Sequence, residues 1–171
     1  MVSKEYSTAL FNLCLENNNL EEISASFDVL CQAFKENPDY MKILTSPGIS
    51  SSKKKESIKN VLENNDIVLL HFVNVLIDND RVINIYEIQD EFSKLVLQHK
   101  NILKVTVYSV DYLSENKITE LKGQLSNYYN KNIMIDNIID KTLIAGIKLA
   151  VEGKEVDLSI FNKINKLKKS I

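Results

Sequence analysis

The sequence predicts a mainly α protein, an N-terminal six-helix bundle followed by a small α/β C-terminal domain of β-α-β-β-α order. Apolar residues recur at steps of three and four through the first hundred positions, short turn signals break that run, and near Leu103 the period changes to two. The domains are therefore placed at residues 1–101 and 102–171.

Residues 3–17 read as the first helix. Asn19 and Glu22 have the spacing of a capping box and open the second, whose inner stripe is Leu20, Ile23, Phe27, Leu30 and Phe34. Asn37 and Pro38 end it and start a short third helix through Leu44, because proline suits a first helical turn but no later one. After the break at Thr45, Ser46, Pro47 and Gly48, serines 50–52 cap a fourth helix holding Ile58, Val61 and Leu62. Asp66 opens a fifth helix to about Asp78, and Asn79 and Asp80 cap a sixth with Ile85, Ile88, Phe92, Leu95 and Val96 inside.

Leu103, Val105 and Val107 then alternate with Lys104, Thr106 and Tyr108, as in a half-buried strand. Ser114 caps a helix with Ile118, Leu121 and Leu125 inward. Residues 133–139 and 142–151 read as two strands joined near Asp140 and Lys141, and after Gly153 a last helix from about Leu158 presents Phe161, Ile164 and Leu167.

With 171 residues and 44% hydrophobic content the chain can bury a core. Twenty-one basic against 23 acidic residues leave a net charge of -2, too little field to gather nucleic acid or an anionic membrane. No run of about twenty apolar residues exists to insert in a bilayer, and the start of the chain has neither signal-peptide nor transit-segment layout, which places the protein in a cytosol-like compartment. Cys14 and Cys31 fall within helical patterns and read as reduced, buried small residues.

The first and fifth helices are apolar over too wide an arc. On the first, Val2, Tyr6, Ala9, Leu10, Phe11, Leu13, Cys14 and Leu15 spread over roughly 240°. On the fifth, His71 and Asn74 are the main polar interruptions of an apolar run from Ile67 to Ile77. Either these are central core helices packed on several sides, or their surplus apolar surface forms a groove for an amphipathic helix of another protein.

Groups that could do chemistry are sparse. His71 and His99 stand alone, and no His, Cys, Asp or Glu cluster has metal-ligand spacing, so no catalytic residue, cofactor or metal is expected. Gly146 to Lys154 is no phosphate-binding loop, since six residues separate Gly146 from Gly153 and Glu155 stands where a hydroxyl is needed. Lys53, Lys54 and Lys55, like Lys163, Lys166, Lys168 and Lys169, read as solvated helix faces. A small transferase in the α/β tail would have to be built on Asp136, Asp140 and Asp157, which turns and a helix entry explain better; a helical adaptor of an unrelated assembly is the other alternative.

YSTALF at Tyr6 to Phe11, TSPGIS at Thr45 to Ser50, and Asn79-Asp80-Arg81 before a long helix resemble the delta subunits of F-type ATP synthases. So do TVYSVDYL before Ser114, DKTLIAG from Asp140 to Gly146, and VDLS from Val156 to Ser159; in order, these motifs cover essentially the whole chain. Ala145 stands where many members have glycine, and Leu158 where glycine is common. The chain is similar also to the mitochondrial oligomycin-sensitivity-conferring protein, and the absence of a presequence favours a bacterial or organelle-encoded form.

This resemblance implies a non-catalytic stator subunit that joins the catalytic head to the peripheral stalk and resists rotor torque. It implies that residues 1–101 grip the N-terminal segments of the alpha subunits in a groove between the first and fifth helices. Tyr6, Leu10, Phe11, Cys14 and Leu15 are placed on one wall, and Leu69, Phe72, Val73 and Leu76 on the other. Residues 102–171 would bind the C-terminal ends of the b-subunit stalk. The protein would sit, without membrane insertion, on the cytoplasmic face of the bacterial plasma membrane or the equivalent organelle face.

Overall fold

The computed structural model describes residues 2–62, 67–143, 146–151 and 153–156. The chain divides into two compact units, Met1–Val96 and Leu97–Ile171, and its described residues are mainly helical with one small four-stranded sheet.

The first unit contains α1 (Val2–Glu16), α2 (Leu20–Glu36), α3 (Pro38–Thr45), α4 (Ser51–Leu62), α5 (Ile67–Asp78), a 3-10 turn at Val82–Asn84, and all but the last turn of α6 (Ile85–His99). The inner stripe of α2 is the predicted one with Cys31 added, and all of it is buried. Phe27 is the hub: its ring lies 5.9 Å from those of Phe72 on α5 and Phe92 on α6. Pro38 occupies the first turn of α3, where its missing N–H costs nothing. Across the surface, Tyr40 Oη and Ser57 Oγ tie α3 to α4 at 2.7 Å, and Gln89 donates to Asp28 at 2.5 Å between α6 and α2.

Asn19 stands directly before α2 as expected while also completing the closure of α1, whereas the Asn79-Asp80 pair, expected to open the sixth helix, closes the fifth. Asn18 takes a left-handed φ of 54°, and the Asn19 N–H reaches back to the carbonyl of Cys14 at 3.1 Å. Asp80 does the same at φ 52°, with the Arg81 N–H on the Leu76 carbonyl at 2.7 Å. Both are Schellman-type closures of the preceding helix. Asn19 makes no side-chain capping bond to α2, so the capping box with Glu22 is absent. The sixth helix starts at Ile85 rather than beside Asn79 and Asp80, with the 3-10 turn between.

The second unit has β1 (Ile102–Ser109), α7 (Glu115–Tyr129), β2 (Asn132–Ile139), β3 (Ile147–Val151) and β4 (Lys154–Val156). The sheet order is β2-β1-β3-β4. β1 and β2 are parallel, in register from Ile102↔Asn132 to Ser109↔Ile139, with α7 as the crossover that parallel strands require. β3 pairs antiparallel to β1, and β4 antiparallel to β3. Leu103, Val105, Val107, Leu125 and Leu149 form the core of this unit.

The strand expected over residues 142–151 begins only at Ile147. Asp140 accepts bonds from the Thr142 N–H at 2.9 Å and its hydroxyl at 2.6 Å, which curls residues 140–142 into a turn, and Gly146 supplies a φ of +88°. β4 is a strand that periodicity did not predict; three residues are too few to show a period. The last helix predicted from Leu158, with Phe161, Ile164 and Leu167, lies outside the described residues.

A candidate partner-binding seam on the first unit

Helices α1 and α5 are brought together by their aromatic residues. Tyr6 stands edge-on to Phe72 with ring centroids 6.5 Å apart, and the half-buried Tyr6 ring forms the surface end of that contact. On the opposite flank of α1, Phe11 meets Phe92 of α6, also at 6.5 Å and edge-on. The wide apolar arc of α1 is thus divided: Leu10 and Cys14 point into the core, Tyr6 turns toward α5, and Phe11 toward α6.

Of the nine residues placed on the two walls, Leu10, Cys14, Leu69, Phe72, Val73 and Leu76 are buried in one core cluster. Phe72 retains 9% of its surface and is the most accessible of the six. Tyr6, Phe11 and Leu15 are half-buried and packed against that cluster. The buried six therefore set the spacing and shape of the seam, while its outer surface is made by other residues.

Leu13 and Val75, both outside the nine, make that surface apolar, with 42% and 46% of their area exposed. Leu13 follows Tyr6 by seven residues, two helical turns along the same side of α1, and Val75 follows Phe72 by three on α5. Val68, a further two turns from Val75, is half-buried. The signal for Leu13 was in the sequence, at the margin of the wide arc; which margin faces α5 is set by tertiary packing.

The electrostatics of this region are quiet. Burial pushes the Cys14 thiol from 9.0 up to about 11 and the Cys31 thiol up to about 12, so both are neutral space-filling groups near neutral pH. Of the lysine run on α4, Lys54 is buried and Lys55 pairs with Asp78 of α5 at 2.6 Å, which leaves no continuous basic face there. Asn74, the polar interruption of α5, has its Oδ1 buried without a hydrogen-bond partner among the described residues.

In the second unit Asp136 lies 3.6 Å from Lys104, and Asp140 is held below the usual carboxylate range by the two bonds from Thr142. Asp157 lies outside the described residues. Among the described residues no three His, Cys, Asp or Glu side chains come together as a metal site. No described helix is long and apolar enough to cross a membrane.

With this geometry in hand, comparison with known proteins is specific. The family model for the ATP synthase delta (OSCP) subunit matches residues 2–171. A Clostridium beijerinckii protein named ATP synthase subunit delta is 30% identical over 168 residues, 98% of this chain and 94% of that one. The Mycoplasma capricolum protein of the same name is 32% identical over 172 residues, covering 97% and 93%. Among solved structures, a chain of the Toxoplasma gondii mitochondrial ATP synthase hexamer superposes with a TM-score of 0.73 at 16% identity, covering 99% of this chain and 97% of that one. A chain of the Polytomella F-ATP synthase matches 57% of this chain and 88% of its own length, at 19% identity and a TM-score of 0.53. At such identities these two likenesses speak for the fold.

Proposed function

The chain belongs to the ATP synthase delta (OSCP) subunit family, and from that premise we propose that its first unit grips the N-terminal helical segments of the alpha subunits along the α1–α5 seam while its second unit holds the far ends of the b-subunit stalk. As a member of that family it is a stator subunit of an F-type ATP synthase, non-catalytic, and a peripheral part of a membrane-bound complex. In this reading residues 1–101 are the six-helix bundle for the head and residues 102–171 the β-α-β-β-α domain for the stalk. The complex would carry it on the cytoplasmic face of the bacterial plasma membrane or the equivalent organelle face.

The observation that carries the reading is the seam itself. Tyr6 and Phe72 join the two helices by a ring contact, and each helix has an exposed aliphatic residue on that side, Leu13 and Val75, for an incoming apolar helix face. Such a contact holds by covering apolar surface, at about 25 cal/mol per Å², and needs no reacting group. A stator joint requires slow dissociation under load, and dissociation rate is what buried anchor residues chiefly tune.

The test is titration of the full chain with a peptide from the N-terminus of the same organism's alpha subunit. Leu13→Asp and Val75→Asp lie at exposed positions and should leave unfolding unchanged while weakening binding by about tenfold or more, as loss of an anchor does. Val29→Asp on α2, at 69% exposure, is the control and should bind as wild type. Saturable binding that both seam variants retain in full would overturn the assignment.

A further inference from the structure

β2 is an outer strand of the sheet, and half of its backbone points away from it. The Asn132 N–H donates to the Asn101 carbonyl at 3.1 Å and the Asp140 N–H to the Ser109 carbonyl at 2.9 Å. With the unbroken parallel register between them, the even-numbered residues of β2 direct their N–H and C=O groups at β1. Ile133, Ile135, Asn137 and Ile139 direct theirs outward, and among the described residues no strand pairs with them.

Among the described residues this edge lacks the usual guards. It is eight residues long against three for β4 at the other side, carries no proline, lysine or bulge, and has five isoleucine or methionine residues on its two faces. Met134 and Ile138 are exposed on one face at 44% and 42%, and Ile139 at 37% on the other. Its single charge is Asp136, only loosely engaged by Lys104 at 3.6 Å and half-exposed.

We infer that the edge of β2, unpaired among the described residues, receives an extended segment of another chain in the complex, adding a further strand with apolar side chains on both faces and a lysine or arginine beside Asp136. Charge selects this occupant over a second copy of the protein. Strands pair across a two-fold axis only with residues of like orientation opposed, so β2 against β2 sets Asp136 opposite its twin, Met134 or Ile138, never opposite a cation. The inference goes beyond the stalk reading, since it requires a neighbouring chain and not the stalk in particular.

The experiment is hydrogen exchange on the full chain, free and assembled into the ATP synthase. The amides of Ile133, Ile135, Asn137 and Ile139 should exchange freely in the isolated protein and slow at least about tenfold in the complex, as ladder amides do. Ile139→Pro removes an outward N–H without breaking a bond to β1, and should weaken assembly where Ile139→Ala, which keeps the N–H, does so less. A synthetic eight-residue peptide of valine, isoleucine and threonine with one central lysine is the chemical probe. It should protect the same four amides and bind about fivefold tighter than its glutamate twin, an order that Asp136→Lys reverses. Unchanged exchange at these amides in the complex would overturn the inference, as would equal binding of both peptides or protection of the edge by the free protein's own dimerisation. None of these outcomes bears on the α1–α5 seam, whose peptide titration is separate.

Discussion

Tyr6 and Phe72 meet edge to face, their planes at 72° and their centroids 6.5 Å apart, and this one contact joins α1 to α5 at the seam. Such pairs contribute about 0.5–1.5 kcal/mol beyond the area they bury. A double-mutant cycle with Tyr6→Leu and Phe72→Leu, read by urea unfolding, should return a coupling in that range. Additive effects within about 0.3 kcal/mol would mean that the rings do not interact.

Phe27 touches both Phe72 and Phe92 and has no exposed surface. Phe27→Ala should destabilise the first unit by about 3–5 kcal/mol, the cost of an emptied aromatic site. Val29→Ala, two residues along the same helix and 69% exposed, should change stability by no more than about 0.5 kcal/mol. Unfolding of the two variants side by side measures the asymmetry of α2.

Asn74 has a buried acceptor with no match among the described residues, on the largely apolar helix α5. An unsatisfied buried polar atom costs about 1–3 kcal/mol, so Asn74→Leu should raise the unfolding midpoint rather than lower it. A lower midpoint would show that the amide is satisfied in solution, by an ordered water for example.

The two thiols give stability a pH dependence of known sign. Burial raises both above 9.0, so the folded state favours the neutral form. Their contribution is complete below pH 9.0 and is lost as pH rises toward about 11 for Cys14 and about 12 for Cys31. Chemical denaturation across pH 8 to 11 should show stability falling above about 9, and Cys14→Ala should flatten that slope. Thiol reagents should label neither residue at neutral pH until the chain unfolds.

The helices of the first unit were legible because α2 and α6 carry clean stripes at helical spacing, and β1 was legible because its buried residues alternate with half-buried or exposed ones. The start of the sixth helix was misread for a chemical reason. α1, α5, α6 and α7 each close on a left-handed Asn or Asp, namely Asn18, Asp80, Asn101 and Asn130, in a chain with only four glycines. Those same residue types favour helix N-caps, so the Asn79-Asp80 pair read as a start, while Asn19 does stand at the head of α2 without the side-chain bond of a capping box. At the seam, the wide arcs of α1 and α5 were visible as arcs; which edge of each stays exposed depends on Phe11 turning to Phe92 and Tyr6 to Phe72, a tertiary fact that periodicity does not hold.

The rings of Tyr6, Phe72, Phe27, Phe92 and Phe11 form a circuit that leaves α1, passes through α5, α2 and α6, and returns to α1. A circuit has no loose end at which peeling could begin. Force applied to α1 from one side is shared with three other helices, and the two aromatic contacts on its opposite flanks must part together. The first unit should therefore behave as a brittle fastener, stiff under alternating strain and yielding in a single step, rather than one that creeps.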